Sequence, residues 1–152
     1  MTDEAGHLRE AVRLAAENGA RGQQPFGALV VRGGEVLGTG VNTALADSDP
    51  TAHAEVVAIR DACRRLLDLD LAGATVVSSC EPCPLCRAAA ALVGIERILY
   101  AATAEDAARA GFVLPPAAAA LAEAWHDSPA LRVEHVPTPG AGEPFARPPK
   151  AP

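Results

Sequence analysis

Residues 74–100 read Ala74-Thr75-Val76-Val77-Ser78-Ser79-Cys80-Glu81-Pro82-Cys83-Pro84-Leu85-Cys86-Arg87-Ala88-Ala89-Ala90-Ala91-Leu92-Val93-Gly94-Ile95-Glu96-Arg97-Ile98-Leu99-Tyr100. Ala74–Val77 and Ile95–Tyr100 have the length and composition of strands. Between them, from about Cys83 to Val93, the chain is apolar nearly all round, the pattern of a helix buried between layers. A strand, a helix and a second strand in succession predict parallel pairing and helices packed on the faces of a sheet.

Upstream, Phe26–Val31 and Val36–Val41 flank Gly33-Gly34, which marks an antiparallel hairpin. Leu8, Val12 and Ala15 repeat at helical spacing between residues 3 and 18, and Gly19 and Gly22 end that pattern. Asn42 to Asp49 is polar and predicts a loop. Asp49-Pro50 then offers an N-cap and a first-turn proline for a helix that buries Val56, Ile59, Cys63 and Leu66 and carries His53 and Glu55 in its first turns. Downstream, helices are predicted near Ala104–Ala110 and Pro116–Trp125, and a last strand at Leu131–Val136. Residues 1–136 therefore read as one α/β domain. Residues 137–152 hold six of the 13 prolines and predict an extended or partly disordered tail.

The chain has 152 residues, a formal net charge of -6 and 3% aromatic residues. A chain of that length buries roughly 68–70% of its unfolded surface, enough for a true core. Neither a basic footprint nor a row of stacking rings is present, which argues against nucleic acid as the partner. The acidic start Met1-Thr2-Asp3-Glu4 is unlike a secretory leader, and no apolar run reaches the ~20 residues of a membrane span, so the expected location is the cytoplasm. In a reducing compartment, cysteines clustered at Cys80, Cys83 and Cys86 read as metal or redox chemistry before disulfides.

Cys83 and Cys86 lie three apart at the start of a helix, so their sulfurs share one face where the helix dipole favours thiolates. With one imidazole, two thiolates give zinc three protein ligands and leave the fourth tetrahedral position open, as in catalytic sites. Cys80 is three residues earlier, so Cys80, Cys83, Cys86 and His53 also allow a closed structural site, in which Glu55 would be only a helix carboxylate. A redox pair at Cys83 and Cys86 would explain neither His53 nor Glu55. His7, His126 and His135 have no partner spacing and read as surface or capping residues. Spacing alone does not decide how His53 and Glu55 share a site: two apart on a helix they diverge, whereas on an extended segment both reach one ion.

The segments Asp49-Pro50-Thr51-Ala52-His53-Ala54-Glu55-Val56 and Ser79-Cys80-Glu81-Pro82-Cys83-Pro84-Leu85-Cys86, with the His-x-Glu and Pro-Cys-x-x-Cys pattern of zinc deaminases, closely resemble the cytidine deaminase superfamily. Within it they resemble the bacterial guanine deaminases and tRNA adenosine deaminases. Pro25-Phe26-Gly27-Ala28 and Ala110-Gly111-Phe112 are more similar to the guanine deaminase branch, and the resemblance runs from about residue 5 to 112. It implies a three-layer αβα sandwich around a five-stranded mixed sheet, a homodimer, and one zinc per chain held by His53, Cys83 and Cys86. It also implies Glu55 as the proton shuttle, with Asn42, Phe26 and Ala54 against the substrate. The activity implied is hydrolytic deamination of an aminated heterocycle, a free purine base such as guanine first, with cytosine, triazine or nucleoside substrates as the alternative. A tRNA adenosine deaminase or a non-catalytic zinc scaffold ranks lower.

Three positions depart from that branch. Its aromatic residue in the helix after the second cysteine is replaced by Leu92, and its acid after the Ala-Gly-Phe segment by Val113 or Leu114. Its pocket-closing aromatic near the C-terminus has no direct counterpart, although Glu143-Pro144-Phe145 offers an acid and a ring that could fold over the site.

Overall fold

The computed structural model describes residues 3–125 and 128–146; His126, Arg147 and Lys150 lie outside them. The elements in chain order are α1 (Glu4–Ala20), β1 (Gly27–Arg32), β2 (Glu35–Val41), α2 (Ala44–Asp47), α3 (Ala54–Leu66), β3 (Thr75–Cys80), α4 (Pro84–Leu92), β4 (Arg97–Ala102), α5 (Ala104–Arg109), α6 (Pro116–Ala124) and β5 (Arg132–His135). A 3-10 turn at Glu143–Ala146 follows. The strands form one five-stranded mixed sheet in the order β2-β1-β3-β4-β5. β1 runs antiparallel to both β2 and β3, whereas β3, β4 and β5 are parallel to one another. This is the α/β arrangement expected from the strand–helix–strand run.

Period-two alternation divides the core into two layers. Ala28, Val30, Val76 and Ile98 point towards α3 and α4, where they meet Ala54, Ala58, Ala62 and Ala90. Leu29, Val31, Val77 and Leu99 point the other way, onto Leu8, Ala11 and Val12 of α1. Strands covered on both faces need apolar residues at successive positions, which is why β1, β3 and β4 read as nearly unbroken hydrophobic runs.

The Gly33-Gly34 turn takes positive φ at both glycines (58° and 83°), as a two-residue hairpin requires. Gly38 and Gly40 have a different role: α3 lies directly on β2. A Cβ on Gly40 would meet Ala54 O at 2.3 Å and Ala58 N at 2.4 Å, and one on Gly38 would meet Ala62 N at 2.5 Å. This contact sets the height of the first turn of α3 above the sheet. Gly40→Ala should therefore cost at or above the upper end of the ~1–3 kcal/mol typical of overpacking, which lowers the melting temperature by about 6–12 °C in a chain of this size. Gly142→Ala, where nothing lies within 4 Å, should melt like the parent in the same calorimetric experiment.

Several boundaries differ from expectation. α3 starts at Ala54 rather than after Asp49, because the Asp49 carboxylate accepts from Thr51 N (2.9 Å) and Thr51 Oγ1 (2.6 Å) in a local turn. Leu66, expected in the core, is 38% exposed. α4 buries Pro84, Cys86, Arg87 and Ala90 but turns Leu92 (88% exposed) outward, where no described element covers it. The loop after Asn42 contains the single turn α2, to which the Asn42 carboxamide contributes by accepting from Ala44 N. In the tail, Pro144 is buried and Phe145 packs on Phe26 and Phe112 with ring centroids 5.9 and 5.8 Å away, so residues 143–146 form a packed turn where an extended or partly disordered tail was expected.

Candidate active site

Two helix N-termini meet beyond the carboxyl end of β3. His53 is the N-cap of α3 and has extended backbone (φ -71°, ψ 154°), while Glu55 stands in the first helical turn. Cys83 is the extended N-cap of α4 (φ -72°, ψ 171°), followed by Pro84 at the first position and Cys86 one turn in. The helix boundary falling between His53 and Glu55 resolves the spacing problem: the imidazole leaves from extended chain and the carboxylate from the helix. Free N–H groups and the positive ends of both helices face this point, which favours anionic sulfur and oxygen there.

His53 Nδ1 lies 3.3 Å from Cys83 Sγ and 3.5 Å from Cys86 Sγ, and the two sulfurs are 3.6 Å apart. A tetrahedral zinc, with zinc–sulfur near 2.3 Å and zinc–nitrogen near 2.0–2.1 Å, has ligand–ligand edges of about 3.5–3.8 Å. The three donor atoms are thus spaced as one face of such a tetrahedron, and their chemistry suits the same ion. Among the described residues, His53, Cys83 and Cys86 form the one group of three or more potential ligands close enough to hold an ion. The Cys86 sulfur is paired with Cys83 at 3.6 Å, which holds the Cys83 sulfur down at about 4, with burial opposing and His53 assisting. Its own proton is correspondingly retained, so the Cys86 thiol is pushed well up, burial adding to the effect. His53 is raised by its bond to Cys83, against the effect of burial.

Glu55 is buried beside this group without belonging to it. Its Oε2 is 3.2 Å from Cys86 Sγ, and its Oε1 accepts from Ser78 Oγ at 2.8 Å. Burial pushes the carboxyl up, and the hydrogen bonds, Ser78's among them, pull against it. Ser78 was not singled out from the sequence. Its only signal there is alternation, since it shares with Val76 the face of β3 that points to α3.

Cys80 stands apart from the group of three. It is buried at the end of β3, its sulfur is 3.7 Å from Thr103 O, and burial pushes its thiol up to about 12. The closed four-ligand arrangement therefore lacks its fourth member. Cys80→Ser should keep one zinc per chain and near-parental turnover; loss of zinc by elemental analysis would restore the four-ligand reading.

The site opens into a cavity of about 1750 Å³ bounded by the Gly19–Phe26 segment, the start of α3, the β3–α4 loop and residues 111–125. Phe26, Asn42 and Ala54 line it, as do Val113 and Leu114. Leu92 does not: its side chain faces outward on the last turn of α4, away from the cavity. Asn42 Oδ1 accepts from Ala44 N (3.0 Å), which fixes Nδ2 as the donor end, directed to Gln24 Oε1 at 3.3 Å. Gly27 N donates to Ser79 Oγ (3.0 Å), which holds Phe26 against β3. Arg21, paired with Glu17 through a 65% exposed side chain, is the one arginine or lysine lining the cavity among the described residues.

Residues 1–102 match the family model described as the cytidine and deoxycytidylate deaminase zinc-binding region. Guanine deaminase of Bacillus subtilis is 44% identical over 106 residues, covering 69% of this chain and 68% of that protein. Its crystal structure superimposes with a TM-score of 0.69 at 43% identity over 74% of this chain and 72% of that one. A tRNA-specific adenosine deaminase of Aquifex aeolicus is 39% identical over 95 residues, 62% of this chain and 63% of that protein. In fold alone, the guanine deaminase of Nitrosomonas europaea aligns over 95% of this chain and 83% of its own, with a TM-score of 0.76 at 24% identity. The match through both helix N-termini, at these identities and over two thirds of the chain, places the protein in the cytidine and deoxycytidylate deaminase family of zinc-dependent deaminases.

Proposed function

We propose that this chain hydrolyses the amino group of a free purine base, guanine in the first instance, to give xanthine and ammonia. The observation that carries the reading is Glu55 beside the His53–Cys83–Cys86 group, at the wall of a cavity with little fixed charge. One zinc per chain would be held by those three residues, and when bound it supplies the Lewis acidity that makes water a nucleophile near neutral pH. Glu55 takes one proton of the attacking water and passes it to a ring nitrogen, then moves the second, from the added hydroxyl, to the departing amine, so water is consumed and the exocyclic C–N bond is broken as ammonia leaves. Asn42 Nδ2 donates to a ring acceptor, and Phe26 and Ala54 form the surface against which the ring lies. The Bacillus subtilis enzyme, at 44% identity, supports guanine over the other bases.

The cavity favours a second reading, because about 1750 Å³ exceeds the roughly 300–1,000 Å³ of an ordinary ligand pocket and leaves room for a nucleoside. A phosphate-bearing substrate such as tRNA has less support, since among the described arginines and lysines Arg21 alone faces the cavity and is already paired with Glu17. Ammonia release by zinc-replete protein should be measured against aminopurines, aminopyrimidines and their nucleosides. Turnover greatest on guanine supports the first reading, turnover greatest on a nucleoside the second, and no turnover at all refutes both.

The same reading includes a homodimer in the cytoplasm, with residues 1–136 as the deaminase domain and residues 137–152 as a C-terminal tail that folds over the active site. The support is physical: Leu92 of α4 faces outward, α6 buries none of its residues, and Phe145 packs on Phe26. No described helix is long and apolar enough to cross a membrane.

A further inference from the structure

We propose that Ser78 is the positioning residue for Glu55: its hydroxyl holds Oε1, so that Oε2, on the side of the cysteine pair, is the oxygen that exchanges protons with water and substrate. The proposal rests on the reading of Glu55 as the proton shuttle. Ser78 Oγ lies 2.8 Å from Glu55 Oε1 and is buried at 1% exposure, while Glu55 Oε2 faces Cys86 Sγ at 3.2 Å. The two oxygens thus have different surroundings. A glutamate's terminal torsion is broad and roughly two-fold, so an untethered carboxylate would present either oxygen at a range of angles. A single donor on one oxygen removes that freedom, and a bond to an ionised group is among the stronger ones.

The tether is itself rigidly mounted. Ser78 sits in β3, between β1 and β4, with register partners Ala28 and Tyr100. Its Oγ is also 2.7 Å from Cys80 O and 3.4 Å from Cys80 N, at the last residue of β3 before the loop that delivers Cys83. The hydroxyl has one hydrogen and two acceptors, so it keeps a partner whichever it faces. Through this one oxygen, the first turn of α3 is tied to the strand that leads into the cysteines. The competing explanation is that Ser78 only satisfies the backbone at Cys80. A residue in that role would affect stability and leave the chemical step alone.

The test compares Ser78→Ala, Ser78→Thr and Ser78→Val with Glu55→Gln, on the best substrate of the panel. Thr and Val share a shape and differ in the hydroxyl alone. Losing a hydrogen bond to a charged group corresponds to a drop of about 10–100-fold. Ser78→Ala and Ser78→Val should lose that much kcat with KM within about threefold, and should keep one zinc per chain. Ser78→Thr should recover most of the lost kcat. Equal kcat for Thr and Val, or a kcat for Ser78→Ala within twofold of the parent while Glu55→Gln is inactive, overturns the proposal and leaves Glu55 in its role. An active Glu55→Gln overturns the shuttle and this proposal together.

Discussion

Glu55→Gln should retain its zinc, its fold and its affinity for substrate while turnover falls by at least the ~10²–10⁴-fold that general acid–base catalysis supplies. The glutamine keeps a carbonyl oxygen to accept from Ser78 and places an NH2 group where Oε2 met Cys86, so the packing and both hydrogen bonds have substitutes. It has no oxygen able to take a proton and give it back. Stability should not suffer. Burial raises the carboxyl above its unfolded value, so the native state pays to ionise it, and that cost grows as pH rises from the unfolded value through the folded one. The neutral amide carries no such cost, and the metal-free variant should melt at or above the parent near pH 7. Zinc analysis, calorimetry and steady-state kinetics on one preparation check all three statements. A variant with near-parental turnover would mean that the proton is carried elsewhere.

His53→Ala and Cys83→Ala should fail in the opposite way, losing metal and activity together. Each removes one of three donors spaced 3.3–3.6 Å apart, and the remaining pair cannot enclose the ion on one tetrahedral face. Removing His53 also takes away a hydrogen bond that helps keep the Cys83 sulfur ionised at about 4. Because metal binding free energy is added to folding free energy, melting should drop by several degrees relative to the zinc-loaded parent. After dialysis both variants should carry less than about one tenth of a zinc per chain by elemental analysis. A full equivalent of zinc in His53→Ala would remove the imidazole from the ligand set.

Much of the fold was legible because its signals are local. Alternating Val76-Val77 and Ile98-Leu99 serve two faces of one sheet, and the unbroken apolar character of β1, β3 and β4 follows from being covered on both. The cysteines and His53 were legible by type and spacing. What escaped depended on contacts between distant segments. Asp49-Pro50 carries a strong helix-start signal, yet the carboxylate is used by Thr51, and the true start at Ala54 is what turns His53 away from Glu55. Gly38 and Gly40 look like weak strand residues until α3 lies on them. Leu92 matched a pocket position by resemblance, but no described element covers it and the side chain faces outward. Ser78 carries no signal of its own, because its meaning depends on a carboxylate 23 residues earlier in the chain.

The most direct test of an open three-ligand zinc site that deaminates a base is to strip the metal and titrate zinc back while following ammonia release from guanine. Activity should be absent at the start, rise in proportion to added zinc and saturate at one equivalent per chain. Full occupancy without ammonia from guanine, or activity indifferent to the chelator, would contradict it.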